Sequence, residues 1–253
     1  MSRMRTIILI SCIILSLAAC STQDPPKESL SQGCSDYQSE TVLETTLETE
    51  PETKVQYEIL SSRVDSWSIS EDTHFANFIV EFVNTGTCDL RLSDSTYDLE
   101  DPDGNLVSAQ NFIYAFPDVL QPGEKGYLAT EEIFYTPLNS DLKIIPRINA
   151  KESTIECIRY NVTDTKLVQD DYESISVIGR VENTGATTAE LTCIFVALYN
   201  ADGVCIDTKL SSIDNLAPGE KVGFEAIGVS SPSVPLDSVA DIKCYAYPIL
   251  EED

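Results

Sequence analysis

The chain has 253 residues, of which 42 are acidic and 16 basic, giving a formal net charge of −26. This excess of negative charge argues against nucleic acid as a partner, because phosphate binding requires a clustered positive field. Hydrophobic residues make up 42% of the chain, which is enough to form folded cores. The single histidine, His74, excludes sites built from several histidines and disfavours His-dependent catalysis.

The first twenty residues have the pattern of a bacterial lipoprotein export signal. Arg3 and Arg5 precede an apolar stretch over residues 7–17, which is too short to span a membrane but typical of a signal peptide. The stretch ends in Leu-Ala-Ala-Cys, which resembles a lipobox, so we predict a signal peptide over residues 1–19 and a diacylglyceryl group on Cys20. Two acyl chains give stable anchoring. The predicted localisation is therefore the extracytoplasmic face of the cell membrane.

Residues 20–54 are predicted to form a lipidated acidic tether. The segment after Cys20 carries eight acidic and two basic residues and a low-complexity Thr-Leu-Glu-Thr repetition. Such a segment buries too little apolar surface to offset the entropy lost on ordering, so we predict that it is disordered. Its expected role is that of a spacer between the membrane and the folded domains.

Beyond the tether the sequence predicts short β-strands. Apolar and polar residues alternate over 174–182 and over 221–226, as in half-buried strands. Residues 191–199 are apolar at almost every position, which predicts a central strand. No long segment has convincing helical periodicity, so the predicted fold class is all-β.

An internal repeat divides this part of the chain into two units. Three turn motifs occur twice in the same order: Asn-Thr-Gly at 84–86 and 183–185, Asp-Gly at 103–104 and 202–203, and Pro-Gly-Glu-Lys at 122–125 and 218–221. The offsets are 99, 99 and 96 residues, close to the size of an immunoglobulin-like sandwich. We therefore predict two tandem immunoglobulin-like β-sandwich domains, over residues 55–150 and 151–253. Each motif suits a turn: a glycine at positive φ in Asn-Thr-Gly, a tight hairpin at Asp-Gly and a type II turn at Pro-Gly.

The second unit resembles the FxLYD family, small β-sandwich domains of prokaryotic surface and secreted proteins. The residues that carry this resemblance are Val177–Gly185, Ile194–Gly203 and Leu216–Glu220 with Phe224, and the family signature corresponds to Val196-Ala197-Leu198-Tyr199-Asn200. Val replaces Phe and Asn replaces Asp in that signature. The first unit is similar to a related sandwich domain of unknown function in Gram-positive surface lipoproteins, through Asn-Thr-Gly, Leu99-x-x-x-Asp103-Gly104 and Leu120-x-Pro122-Gly123-Glu124. Both resemblances imply an immunoglobulin-like extracellular fold and bring neither catalytic residues nor a ligand.

An acidic cluster at one predicted hairpin has two interpretations. Glu100, Asp101 and Asp103 lie in Glu-Asp-Pro-Asp-Gly-Asn, where carboxylates two residues apart could share Ca²⁺. The second copy lacks most of these acids, which favours a plain turn. His74 is expected at the surface before a strand that starts at Phe75. Trp67 is expected in the core, with an exposed platform for a glycan as the alternative.

The cysteines allow several states. Cys12 leaves with the signal and Cys20 is lipidated, and four of the remaining six lie in the second unit: Cys157, Cys193, Cys205 and Cys244. Export permits disulfides. A hairpin turning near residue 201 disfavours a Cys193–Cys205 bond, and Cys157–Cys244, between the first and last strands, is the preferred pairing, with free buried thiols as the alternative. Without a Cys-x-x-Cys motif, a zinc or redox site is disfavoured.

The predicted function is that of a non-enzymatic, lipid-anchored cell-surface protein. It would bind a surface protein or polysaccharide, or serve in envelope structure, with the membrane as partner through the lipid on Cys20. No catalytic residue, metal ligand or cofactor is predicted. The alternatives are an extracytoplasmic hydrolase that uses carboxylates and a transporter-associated binding lipoprotein, the latter disfavoured by the missing helical periodicity.

Overall fold

The computed structural model describes residues 54–138, 141–170, 174–228 and 234–249. The predicted signal peptide, Cys20 and all of the predicted tether except Lys54 lie outside the described residues. The regular elements described are β-strands, apart from one turn of 3-10 helix at Leu236–Ser238, and the strands pair antiparallel. The predicted all-β class is therefore confirmed. Nothing in the described ranges forms a helix with the length and apolar character needed to cross a bilayer.

The first half of the described chain, residues 57–152, contains ten strands: β1 (Tyr57–Ser70), β2 (Thr73–Asn84), β3 (Leu90–Leu92), β4 (Thr96–Glu100), β5 (Leu106–Asn111), β6 (Tyr114–Phe116), β7 (Val119–Leu120), β8 (Lys125–Phe134), β9 (Lys143–Arg147) and β10 (Ala150–Glu152). They form three sheets, with strand orders β1-β2-β8-β6, β5-β4-β9 and β10-β3-β7. Phe78, Phe82, Tyr97 and Leu99 are buried in the core that these sheets share.

The second half, residues 161–248, contains six strands: β11 (Asn161–Gln169), β12 (Ile175–Glu182), β13 (Ala189–Tyr199), β14 (Cys205–Leu216), β15 (Lys221–Ala226) and β16 (Asp241–Pro248). They form two sheets, β11-β12-β15 and β14-β13-β16, around a core that includes Val177, Ile194, Val196 and Leu198. The strands predicted over 174–182, 191–199 and 221–226 are confirmed as β12, β13 and β15. The central position predicted for residues 191–199 is also confirmed, because β13 pairs with both β14 and β16.

The two halves repeat one strand topology. The order β1-β2-β8 of the first half corresponds to β11-β12-β15 of the second, and β5-β4-β9 corresponds to β14-β13-β16. A buried asparagine lies at the end of the second strand of each half. Asn84 is the last residue of β2, Asn183 directly follows β12, and both are 0% exposed. The Asn84 amide nitrogen donates to the carbonyls of Cys88 and Leu120, at 2.9 and 3.0 Å.

The hydrogen bonds around Asn183 match those around Asn84. The Asn183 amide nitrogen donates to Thr187 O at 2.9 Å and to Leu216 O at 2.8 Å, and its Oδ1 accepts from Gly185 N at 2.8 Å. Its backbone carbonyl accepts from Gly219 N at 2.8 Å. Each asparagine therefore ties its own Asn-Thr-Gly loop to the Pro-Gly turn of its half, which explains why the two motifs recur at matching positions.

Two of the three turn predictions hold as made. Gly104 and Gly203 of the Asp-Gly hairpins have φ of +82° and +74°, and Gly123 and Gly219 of the Pro-Gly turns have φ of +82° and +73°. The prediction of positive φ for the glycine of Asn-Thr-Gly is wrong. Gly86 is needed for close approach instead, because a Cβ there would lie 2.2 Å from the carbonyl oxygen of Lys54.

Candidate functional site

A third apolar cluster, which we call the junction, lies between the two halves. It joins residues of β2, β6 and β8 to residues of β13, β14 and β16: Ile79, Phe116, Tyr127, Cys193, Phe195, Ala197, Tyr199, Cys205 and Tyr247. Phe195 stacks on Phe116, with ring centroids 4.5 Å apart and planes 17° apart, and lies 4.9 Å from the ring of Tyr127. Residues 193–199 of β13 are all apolar and buried because both faces of the strand are covered there, one by its own core and the other by the first half.

Polar side chains from both halves meet inside the junction. The Tyr199 hydroxyl donates to Glu81 Oε1 at 2.5 Å and lies 2.5 Å from the Tyr127 hydroxyl, which in turn lies 3.2 Å from the Tyr245 hydroxyl. Lys125 Nζ donates to the same Glu81 oxygen at 2.7 Å. Ser61 Oγ also donates to Glu81 Oε2, at 3.5 Å, and because Glu81 is only 3% exposed these protein donors replace water around its carboxylate. Burial, followed by the nearby Tyr245, raises the pKa of Tyr127 and keeps its hydroxyl protonated.

A cleft of about 390 Å³ opens beside this network, and we call it the junction cleft. Its lining residues come from β8, from the end of β13 with the turn that follows, and from β16 with the residue before it: Lys125, Tyr199, Asn200, Ala201, Gly203, Ala240, Asp241, Lys243 and Tyr245. Lys125 Nζ lies 5.2 Å from the centroid of the Tyr199 ring. Lys243 Nζ contacts Asp241 Oδ2 at 2.9 Å. The cleft volume falls in the range of small-molecule sites, about 300–1,000 Å³.

Arg159, in the segment between β10 and β11, fixes the two halves beside the junction. Its guanidinium donates to both carboxylate oxygens of Glu124, at 3.0 and 2.8 Å, and to the carbonyl of Val119. The same guanidinium lies 5.7 Å from the centroid of the Tyr247 ring in β16. A bidentate arginine gives directional as well as electrostatic contact, so Arg159 restricts rotation of one half against the other.

The second half also buries an ion pair. Lys209 Nζ contacts Asp207 Oδ2 at 2.6 Å, and the two side chains are 0% and 1% exposed. Burial raises the pKa of Asp207, while the charge of Lys209 lowers it. A buried pair of this kind is costly to break from one side, because the remaining charge is left without compensation.

The acidic cluster of the first half builds a turn. Asp101 Oδ1 accepts from the backbone N–H groups of Asp103 and Asn105, at 2.9 and 2.8 Å, and Asn105 Nδ2 donates to Asp101 Oδ2 at 2.9 Å. These donors lower the pKa of Asp101. In the second half Asn200 Oδ1 accepts in the same way from Asp202 N and Val204 N, at 3.1 and 2.9 Å. An amide serves as well as the acid, and both segments form the predicted turn. The described ranges hold no group of three or more side chains suited to a metal ion.

The predictions for His74 and Trp67 need correction. His74 is buried, at 8% exposed, and lies inside β2 rather than before it. Its ring nitrogens lie 2.6 Å from Ser68 Oγ and 3.2 Å from the carbonyl oxygen of Glu71, so the hairpin between β1 and β2 supplies its partners. Trp67 is half-buried in β1 rather than in the core, and it stacks on Phe75 with centroids 5.6 Å apart.

The preferred Cys157–Cys244 disulfide is absent. The five cysteines in the described part of the chain are all free thiols. Cys157 precedes β11, and its thiol faces the carbonyl of Val119 in the first half at 3.8 Å, whereas Cys244 packs against the core of the second half. Cys205 pairs with Tyr199, within one residue of the predicted register that disfavoured Cys193–Cys205.

Sequence reasoning did not find the polar residues of the junction. One signal was available: Glu81 is the only charged residue in the apolar run from Phe75 to Val83, and a lone carboxylate in a buried strand requires a partner. The partners, Lys125 and Tyr199, lie 44 and 118 residues away, so no local pattern connects them.

Comparison with known proteins adds no relative. No protein-family model matches the chain, and no curated protein is significantly similar to it in sequence. The resemblance of the second half to the FxLYD family therefore stays a prediction, resting on the residues quoted above.

Proposed function

We propose that the chain is a non-enzymatic, lipid-anchored binding protein of the extracytoplasmic membrane face, built from two immunoglobulin-like β-sandwich domains. Its ligand site is the junction cleft. The repeated strand topology and the repeated Asn84 and Asn183 networks support two domains of one architecture. The lipobox-like sequence before Cys20 supports the anchor.

The observation that carries the binding role is the junction cleft itself. It is a concave site between two domains, with aromatic rings beside charged groups, and ligand sites occur preferentially at such places. Two carboxylates buried in the described part of the chain, Glu81 and Asp207, favour binding over catalysis. Glu81 is held by Lys125 and Tyr199, and Asp207 by Lys209, so neither is arranged to exchange a proton with a substrate.

Substitution of Cys20 tests the anchor. The Cys20→Ala chain, expressed in a bacterial host with the lipoprotein pathway, should lose palmitate labelling and move from the membrane to the soluble extracytoplasmic fraction. The matched control is Cys34→Ala, which should stay labelled and membrane-bound. Continued labelling and membrane association of Cys20→Ala would falsify the assignment.

Binding to isolated cell envelopes tests the site. The soluble Cys20→Ala chain should co-sediment with envelopes, and the further substitution Ala201→Trp, which fills the junction cleft, should abolish this. The control is Tyr135→Ala, which removes a ring that is 76% exposed outside the cleft. Equal sedimentation of the Ala201→Trp and Tyr135→Ala chains would show that the cleft is not the binding site.

A further inference from the structure

We propose that the junction cleft binds an uncharged saccharide residue of a surface glycan. The inference rests on the proposed binding role of the cleft and adds the chemical class of its ligand. Three features of the cleft support it: the balance of its charges, the pairing of its donors with acceptors, and the fixed aromatic rings in its wall.

The charges of the cleft cancel. Lys125 lies 2.7 Å from Glu81, and Lys243 lies 2.9 Å from Asp241, so each ammonium group already has a carboxylate partner. An anion-binding site would present these cations uncompensated. The chain as a whole carries a net charge of −26, which also opposes the approach of an anionic polymer. An uncharged ligand avoids both penalties.

The cleft offers hydrogen-bond donors and acceptors side by side. An ammonium group has three N–H donors, and the contact of Lys125 with Glu81 uses one of them. The Asp241 carboxylate, which together with Lys243 is 55% exposed, supplies acceptor lone pairs. Asn200 uses its Oδ1 to hold the turn after β13, while its amide nitrogen is a donor. Neighbouring hydroxyls of a sugar donate and accept at once, so they match this alternation.

The aromatic wall is fixed before a ligand arrives. The Tyr199 hydroxyl is held by Glu81 and Tyr127, and the Tyr245 hydroxyl by Tyr127. Tyr245 remains half-buried, so part of its ring can meet the apolar C–H face of a sugar ring. Ala201, Gly203 and Ala240, which also line the cleft, are small and leave room for such a ring. Because the site is preorganised, little conformational entropy is lost when a ligand binds. The weak contacts that a neutral ligand makes are then enough to hold it.

Titration of the soluble Cys20→Ala chain with oligosaccharides tests the proposal. The probes are neutral oligomers of glucose, galactose, mannose and N-acetylglucosamine, with a polyphosphate and a polyuronic acid for comparison, followed by calorimetry and by NMR shifts. At least one neutral oligomer should bind. Lys243→Ala, at an exposed position, should weaken that binding about tenfold, the equivalent of about 1.4 kcal/mol. Tyr245→Ala should weaken it at least as much, and Tyr135→Ala should leave it unchanged.

The outcomes separate this proposal from the binding role. If no neutral oligomer binds at millimolar concentration, or if only the anionic polymers bind with strong salt dependence, the saccharide class is wrong even when envelopes still sediment the chain. If a neutral oligomer binds equally to the Lys243→Ala, Ala201→Trp and parent chains, the site is wrong. Because Tyr245 also contacts Tyr127, a folding defect in Tyr245→Ala is checked by circular dichroism, and the exposed Lys243 and Ala201 variants carry the test.

Discussion

The hydrogen bonds of the buried asparagine in each half predict how much its substitution lowers the free energy of unfolding. In Asn183→Ala, the carbonyls of Thr187 and Leu216 lose the amide donor, and Gly185 N–H loses its acceptor. Asn183 is 0% exposed, so water does not replace these partners without local opening. At about 1 kcal/mol for each hydrogen bond, the free energy of unfolding should fall by about 3 kcal/mol. For a folded region of this size, the thermal midpoint should fall by about 6–12 °C.

The chain supplies matched comparisons for this measurement. Asn84→Ala removes the equivalent three bonds in the first half and should cost a similar amount. Asn200→Ala removes two bonds in a solvent-accessible turn, where water substitutes, and should cost about 1 kcal/mol or less. Urea denaturation followed by circular dichroism and by tryptophan fluorescence measures all three.

Two results would refute the reasoning. A loss below about 1 kcal/mol for both Asn84→Ala and Asn183→Ala would show that the networks contribute no more than an exposed turn. The junction also requires that both substitutions lower one shared transition, since the halves bury side chains against each other. Two separate transitions, with each substitution moving only one, would mean that the junction does not couple the halves.

Three further predictions concern the junction, a glycine and the thiols. Phe195→Ala should lower the free energy of unfolding by about 3–5 kcal/mol, measured by urea denaturation, because it leaves a cavity beside the rings of Phe116 and Tyr127; a loss under about 1 kcal/mol would show that packing of these rings does not stabilise the chain. Gly86→Ala should destabilise the chain more than Gly223→Ala, whose added Cβ meets only a carbonyl at 3.8 Å; the reverse order of midpoints would contradict the close approach. Burial raises the pKa of Cys193 to about 11 and of Cys205 to about 12, above the value of about 8.5 expected when unfolded. These thiols therefore contribute stability that is complete below about pH 8.5 and is lost as the pH rises toward 11; equal midpoints at pH 8 and pH 10.5, or labelling of Cys193 or Cys205 in the native chain at pH 8, would contradict this.

The sequence predicts the strands best where one face of a strand is exposed. Residues 221–226 alternate strictly and form β15 with the predicted bounds, because period-two alternation follows directly from the pleat. The turns with Asp-Gly and Pro-Gly were equally predictable, since positive φ is required there. The glycine of Asn-Thr-Gly was not, because its reason is a contact with Lys54, more than thirty residues away in the chain.

The candidate site was beyond sequence reasoning for a physical reason. Its parts come from β2, β8, β13 and β16, and they meet only because two sheets from different halves pack face to face. The apolar residues of β13 indicated burial on both sides, but no pattern states which surface provides the second cover. The polar partners of Glu81 follow from that packing, so they become visible only in three dimensions.

The topology of the junction has a consequence for assembly. The first half contributes the β1-β2-β8-β6 sheet, while the second contributes β14-β13-β16, the counterpart of β5-β4-β9. The sheet that the first half contributes is therefore not the counterpart of the sheet that the second half contributes. A head-to-tail contact of this kind, repeated between further copies, adds subunits without limit unless it closes into a ring. The outer sheets at the two ends are the faces that would continue the series.

At the equivalent positions, those end faces lack the aromatic side chains that form the junction. At the positions equivalent to Phe195 and Tyr199, the first half has Thr96 and Glu100. Where the first half has Tyr127, the second has Gly223, with no ring to insert. Because these three residues supply no aromatic ring, the end faces do not repeat the contact that joins the two halves at the junction.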